Sequence, residues 1–312
     1  FYIQLRIQEF DVRSDLKVKK RKNEEVLLSA GQIARKKFFQ NKMAVLGLIV
    51  IILFVILSVF APLFTKLDPN QTDLLNIRGC PNAEHILGTD DLGRDIFTRL
   101  LYGGRISIAV GVISMALQLA IGVTVGTLAG YFGGILDKIV MRIVDVIMCF
   151  PFFVIAIALA SVLGGSMTNL VLIIGMLMWP GIARIVRSQV LVIKENEFIM
   201  GARALGLNWL EIIFSHVLPN IVSSVLVAST LSVASGILME ATLSFLGLGD
   251  NPPDPSWGNM LVAAQSMSVL KNQWWMWIPA GTAVVLMVLA VNFFGDGLRD
   301  ALDAKSKISA GD

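Results

Sequence analysis

The densest group of reactive side chains in this sequence is Asp90, Asp91, Arg94 and Asp95, set among Gly88, Thr89 and Gly93 in the string HILGTDDLGRDIFTRLLYGGR. Clustered carboxylates are chemically a cation site, but a calcium loop spaces them as D-x-D-x-D-G with a distal Glu, and that spacing is absent. The string reads instead as a glycine-punctuated turn whose carboxylates cap an amphipathic helix. Other ionisable groups stand alone in apolar runs. Glu240 is by default a functional candidate there, against the alternative of a structural hydrogen bond to an outer-loop donor. Arg142 and Asp145, three residues apart, share a helix face and can pair with each other. No G-x-x-x-x-G-K-[ST] occurs, so the chain does not itself cradle ATP. His85 and His216 are the sole histidines, and neither H-E-x-x-H nor G-x-S-x-G is present. No catalytic set, cofactor site or metal site is expected in this chain.

The elements that must carry these residues are membrane helices. Of 312 residues, 55% are hydrophobic and 16% charged, with mean hydropathy +0.72, the balance of a polytopic membrane protein. Cys80 in a polar loop and Cys149 in an apolar run make no disulfide framework. Apolar runs at 44–65, 106–136, 139–163, 169–187, about 221–248 and about 276–294 predict an all-α protein with six transmembrane helices. The organisation expected is a basic tail over 1–43, a first span over 44–65, an outer loop with an amphipathic segment over 66–105, a five-span core over 106–298 and a tail over 299–312. With the N-terminus inside, the inner segments hold 20 of the 26 Lys and Arg, which places both termini and the loop 194–219 in the cytoplasm. The tail's runs LKVKKRK (16–22) and ARKKFF (34–39) read as an orientation signal beside membrane lipid. Pro151 and Pro180 interrupt spans and predict kinks, either hinges or the wall of a cavity. Trp274, Trp275 and Trp277 read as an interfacial belt. With low aromatic content and no basic-aromatic interleaving, nucleic acid is not an expected partner.

The longest polar break late in the chain, 194–220, reads as helix, glycine stop, helix and proline. Asn196 is placed to cap the first helix, with Phe198, Ile199, Ala202 and Leu205 on one face. Gly206 suits a left-handed stop, Asn208 with Glu211 is a capping-box pair, and Pro219 is expected to end the second helix. Gly201, Ala202 and Ala204 would allow another surface close to the backbone. An amphipathic helix lying on the membrane is the alternative.

The run G-A-R-A-L-G followed by H-V-L-P-N resembles the EAA loop of ABC-importer permeases. Ala202, Gly206, Leu218 and Pro219 match its pattern, while Met200, Gly201 and His216 stand where that pattern has Glu, Ala and Ile. The Asp90 string resembles the LGTDxxGRDxxSRLxxGxR signature of the C-type permeases of dipeptide, oligopeptide and nickel importers, with Thr98 in the Ser position. YFGGILDKIVMRIVDVIMCFP, MEATLSFLGLG, SWGNML and GDGLRDALD resemble the same subfamily, so the likeness runs from about residue 32 to 304. Residues 1–31 carry no such likeness.

This resemblance implies a type I importer fold, a MetI-like core of five helices plus one N-terminal helix, in the bacterial cytoplasmic membrane. It implies that Glu197, Phe198, Met200, Gly201, Ala202, Arg203, Ala204, Leu205 and Gly206, with Leu218 and Pro219, form a coupling loop that docks on a separate ATPase. Two cytoplasmic ATPase subunits would bind ATP and Mg. A homologous B-type permease would complete a heterodimer, and an extracytoplasmic binding protein would deliver substrate. Di- or oligopeptides are the implied cargo, with nickel chelates, metallophores or glutathione as alternatives. An ion-coupled secondary transporter would show several embedded carboxylates and an internal repeat, and neither is seen.

Overall fold

The computed structural model describes residues 30–249 and 253–309. The basic run 16–22 lies outside the described residues, as do the rest of 1–29 and residues 310–312 of the C-terminal tail. α1 (Ala30–Gln40) and α2 (Lys42–Val59) meet at Asn41, whose side-chain oxygen accepts from the N–H groups of Met43 and Ala44. α3 (Ala61–Phe64) closes that span. Then follow α4 (Ile96–Phe132), α5 (Gly134–Cys149), α6 (Phe152–Leu163) and α7 (Met167–Ile193). The loop helices α8 (Glu197–Ala204) and α9 (Trp209–Ile212) precede a π-helical stretch, Ile213–Val217, and α10 (Leu218–Phe245). α11 (Trp257–Leu261), α12 (Met267–Asn272) and the long α13 (Ile278–Ser309) complete the described chain.

Among the described residues, five helices are long and apolar enough to cross a membrane: α2, α4, α7, the continuous run Trp209–Phe245, and Ile278–Leu302 of α13. The sixth expected span, 139–163, is not one straight helix. α5 and α6 meet at 82°. Pro151 offers no N–H to the preceding turn and pushes Phe150 into extended backbone (φ −86°, ψ 136°), which stops α5. Pro180, by contrast, sits inside α7, which continues through it.

The packing centre is α4 against α7. A Cβ on Gly122 would lie 2.7 Å from Ile182 Cβ, and one on Gly130 would lie 2.9 Å from Val190 Cβ, so these glycines let the two helices approach along their backbones. α10 lies against α4 in the same manner through Gly111, whose Cβ would meet Ile237 at 2.6 Å. One buried cluster joins Ile182, Val186, Val190 and Ile193 of α7 to Ile199, Ala202, Ile212, Val217 and Ile221. A second, at the other end, surrounds Trp257 with Ile237, Val284 and Met287.

Three expectations change. The amphipathic segment assigned to the outer loop is the start of α4 itself, which begins at Ile96 because Asp95 caps it. Pro219 does not end the helix begun at Trp209. The backbone opens to the π pattern ahead of it, the Leu218 N–H reaching back to the Ile213 carbonyl, so the missing proline donor falls in a new first turn. The tryptophans are not a uniform belt either: Trp274 is half-exposed, but Trp275 is buried against Ile96, Met260, Val269 and Met276.

Candidate functional site

The loop between α7 and α10 is built from short-range signals. Asn196 enters α8 with extended backbone, but its side chain makes no capping bond. Its carbonyl instead accepts from the N–H groups of Ile199 (3.0 Å) and Met200 (3.2 Å). Gly206 has φ +84°, and the Leu207 N–H closes back on the Ala202 carbonyl at 3.2 Å, a Schellman stop for which glycine is the natural residue. Asn208 and Glu211 exchange both bonds of a capping box at 2.9 Å each, launching α9.

The four residues expected on one face of α8 divide. Ile199 and Ala202 turn inward into the cluster at the end of α7, whereas Phe198 is exposed and Leu205 is 82% exposed. Ala202 is therefore an anchor and not part of an approachable small surface; Gly201 and Ala204 remain exposed, with open space where a Gly201 side chain would be. The Arg203 guanidinium lies 5.3 Å over the Tyr131 ring, fastening α8 to the end of α4. Glu197 is exposed at the first turn. Phe198, Met200, Leu205, Trp209, Leu210 and Phe214 together present an exposed apolar surface on a firmly held base. Pro219 is exposed and Leu218 half-buried where α10 begins.

Glu240 lies near the other end of α10, wholly buried. Ser107 Oγ of α4 donates to its Oε2 at 2.8 Å, while Ser244 and Ser256 donate to Oε1 at 2.8 Å each. Ser107 Oγ also accepts from the Trp257 N–H at 3.0 Å, and the Trp257 indole donates to the Leu100 carbonyl at 2.9 Å. The carboxylate thus knots α4, α10 and the segment before α11, the structural role weighed from sequence. Nothing local in the sequence marks these three serines, 12 to 149 residues apart, as neighbours of one glutamate.

The Asp90 string folds on itself. Gly88 and Gly93 take φ +72° and +74°. Asp90 accepts from the N–H groups of Leu92 (2.9 Å) and Arg94 (3.0 Å), and its Oδ2 meets Arg94 Nε at 2.7 Å and Arg99 Nε at 3.6 Å. Asp91 pairs with Arg78. Asp95 accepts from Thr98 N–H at 2.7 Å and from His85 Nδ1, taken as the protonated nitrogen, at 2.9 Å. Thr89 Oγ accepts from Gly79 N–H and donates to the Asn76 carbonyl. These carboxylates are occupied by protein donors. Among the described residues no group of three His, Cys, Asp or Glu is placed to hold a metal ion.

Arg142 and Asp145 do not pair. Asp145 accepts from Arg184 of α7 at 2.8 Å, because α7 stands beside α5, and Arg142 is exposed. One further interhelix pair, Asp137 with Arg187, is held by two bonds of 2.5 and 2.6 Å.

Comparison with known proteins places this architecture. Residues 122–308 match the family described as binding-protein-dependent transport system inner membrane component, and residues 29–83 match the N-terminal TM domain of oligopeptide transport permease C. The dipeptide transport system permease protein DppC of Alkalihalophilus pseudofirmus is 42% identical over 88% of this chain and 90% of its own length. The glutathione transport system permease protein GsiD of Pectobacterium atrosepticum is 41% identical over 87% of this chain and 90% of its own length. An inward-facing structure of the MetNI methionine ABC transporter matches 65% of this chain and 96% of its own with a TM-score of 0.55 at 20% identity, a likeness of fold. The chain belongs to the binding-protein-dependent transport system inner membrane components. It has the type I ABC-importer permease fold and is the multi-pass, non-enzymatic membrane component of such a system, in which the ATPase is a separate subunit.

Proposed function

We propose that this chain is one of two permease subunits of an ATP-driven importer that carries di- or oligopeptides inward across the bacterial cytoplasmic membrane. The observation that carries this reading is the exposed apolar surface of the 194–217 loop, anchored from beneath by Ile199 and Ala202. Exposed apolar side chains on a rigid base are a protein-docking surface, and the Lys and Arg distribution puts that loop and both termini on the cytoplasmic side. There it meets one of two ATPase subunits, which hold ATP and Mg. A homologous B-type permease supplies the other half of the pathway, and an extracytoplasmic binding protein delivers the cargo. Closure of the ATPases on ATP draws the two coupling loops together and rotates the helix bundles, exposing the pathway outward. Release reverses the motion. The coupling loop is where the nucleotide state makes different contacts in the two conformations, as such a transition requires.

The test is co-purification from the native membrane followed by uptake in proteoliposomes. Two ATPases and a second permease, with ATP-dependent uptake of labelled dipeptide, are expected. A chain that purifies alone and moves solute down an ion gradient without ATP would refute the proposal. The glutathione permease relative makes glutathione the second reading; unlabelled glutathione that competes better than dipeptides would establish it instead.

A further inference from the structure

Pro180 and the two residues flanking Pro151 line one recess. Met148, Phe150, Phe152, Met178, Pro180 and Met239 line a recess of about 390 Å³ at the α5–α6 bend, within the size range of small-ligand pockets, roughly 300–1,000 Å³. Its depth follows from Pro180, the midpoint of the 27-residue α7. Gly181 also lines the recess, and a Cβ there would meet nothing within 4 Å. Gly111, Gly122 and Gly126 each receive a neighbouring helix at under 3 Å. Gly181 receives none, so a helix-weakening residue at mid-span is not explained by packing.

Two observations say that this face does not meet lipid. Phe150 has non-helical backbone, and Pro180 withdraws a hydrogen bond from the carbonyl four residues back. At membrane depth such backbone is tolerated where it is buried in protein or lines an aqueous cavity. The second is the Asp145–Arg184 pair, which sits three residues along from Met148 on α5 and three from Gly181 on α7, on the same faces as the recess. Its side chains are 52% and 51% exposed. Arg184 lies about 6 Å along the axis from Pro180, inside a hydrocarbon half-thickness of about 15 Å. A half-exposed ion pair at that depth faces water or protein.

Resting on the peptide reading above, we infer that this face lines the translocation pathway and that the recess is a subsite for the cargo. The recess takes an apolar side chain, with the adaptable methionine surface suited to several shapes. The Asp145 carboxylate receives the peptide ammonium and the Arg184 guanidinium receives its carboxylate, their mutual contact giving way to two with the zwitterion.

The experiment uses the complete transporter in proteoliposomes, with Cys80→Ala and Cys149→Ala as background. Gly181→Leu fills the recess where nothing obstructs a side chain, and is expected to lower the ratio of alanyl-phenylalanine to diglycine uptake tenfold or more, the low end of pocket discrimination by size. An unchanged ratio overturns the subsite. In the same background, the thiol introduced by Met178→Cys is expected to react with a membrane-impermeant maleimide, and alanyl-phenylalanine is expected to slow that reaction at least fivefold. An unreactive thiol, or one indifferent to peptide, overturns the inference even if Gly181→Leu fails to assemble. A wild-type complex that moves no peptide while the thiol still labels would remove the peptide reading and the subsite assignment but leave the aqueous face standing.

Discussion

The two long loops of this protein use their polar and apolar residues in opposite ways. The Asp90 loop is rich in charge, and its charges are turned on one another: Asp90 on Arg94 and Arg99, Asp91 on Arg78, Asp95 on His85. The 194–217 loop is anchored inward by Ile199, Ala202, Ile212 and Val217 and leaves exposed Phe198, Met200, Leu205, Trp209, Leu210 and Phe214. A dense charged motif therefore marks a scaffold here, while the proposed docking surface consists of side chains that the fold leaves out.

Substitutions can break that contrast. The largest stability loss is expected for Asp90→Ala, which strips the carboxylate from the nearly buried Arg99 and from Arg94 and orphans two N–H groups. Breaking a buried pair from one side costs about 3 kcal/mol or more, read as a lowered melting temperature in detergent with the ATPases still bound. Leu205→Asp with Phe214→Asp should do the reverse. Both side chains are exposed, so melting stays within about 0.5 kcal/mol while ATPase co-purification and peptide uptake fall at least tenfold. If uptake survives with the complex intact, the surface is not the dock. Ala202→Trp and Gly201→Trp sharpen the point within α8. The first invades the cluster around Val190 and Ile212 and should cost about 1–3 kcal/mol; the second enters open space, spares stability and obstructs docking. Asn208→Ala removes one half of the capping box and should cost about 1 kcal/mol, seen as faster amide exchange confined to α9.

What was legible in the chain was what neighbours in sequence decide. Gly206 and the Asn208–Glu211 pair are satisfied within three residues, and their geometry is as read. Asp95 acts the same way at its helix. What depends on a distant partner was not. Asp145 has a local partner at the right spacing, yet binds Arg184 because α7 lies beside it. The buried face of α8 is narrower than its periodicity predicts, since periodicity gives the direction of a side chain and not the width of the surface that receives it. Pro151 and Pro180 read identically as kinks, but one breaks a helix by 82° and the other is carried inside a continuing one. The recess lined by Pro180 and by Phe150 and Phe152 also takes in Met239, whose position is set by α10 and not by any run around either proline.

The run from Trp209 to Phe245 is one 37-residue helical rod with a π-helical stretch near its start. From that stretch to Glu240 is 23 residues, about 35 Å at the helical rise. Swung about the π-helical stretch by 5°, the rod would carry the Glu240 carboxylate about 3 Å, and the serines that grip it from α4 and the segment before α11 would have to travel too or let go. A lever with its handle at the 194–217 loop and a clasp at its tip leaves the molecule two choices under torque: turn as a single block, or unlatch at the far end.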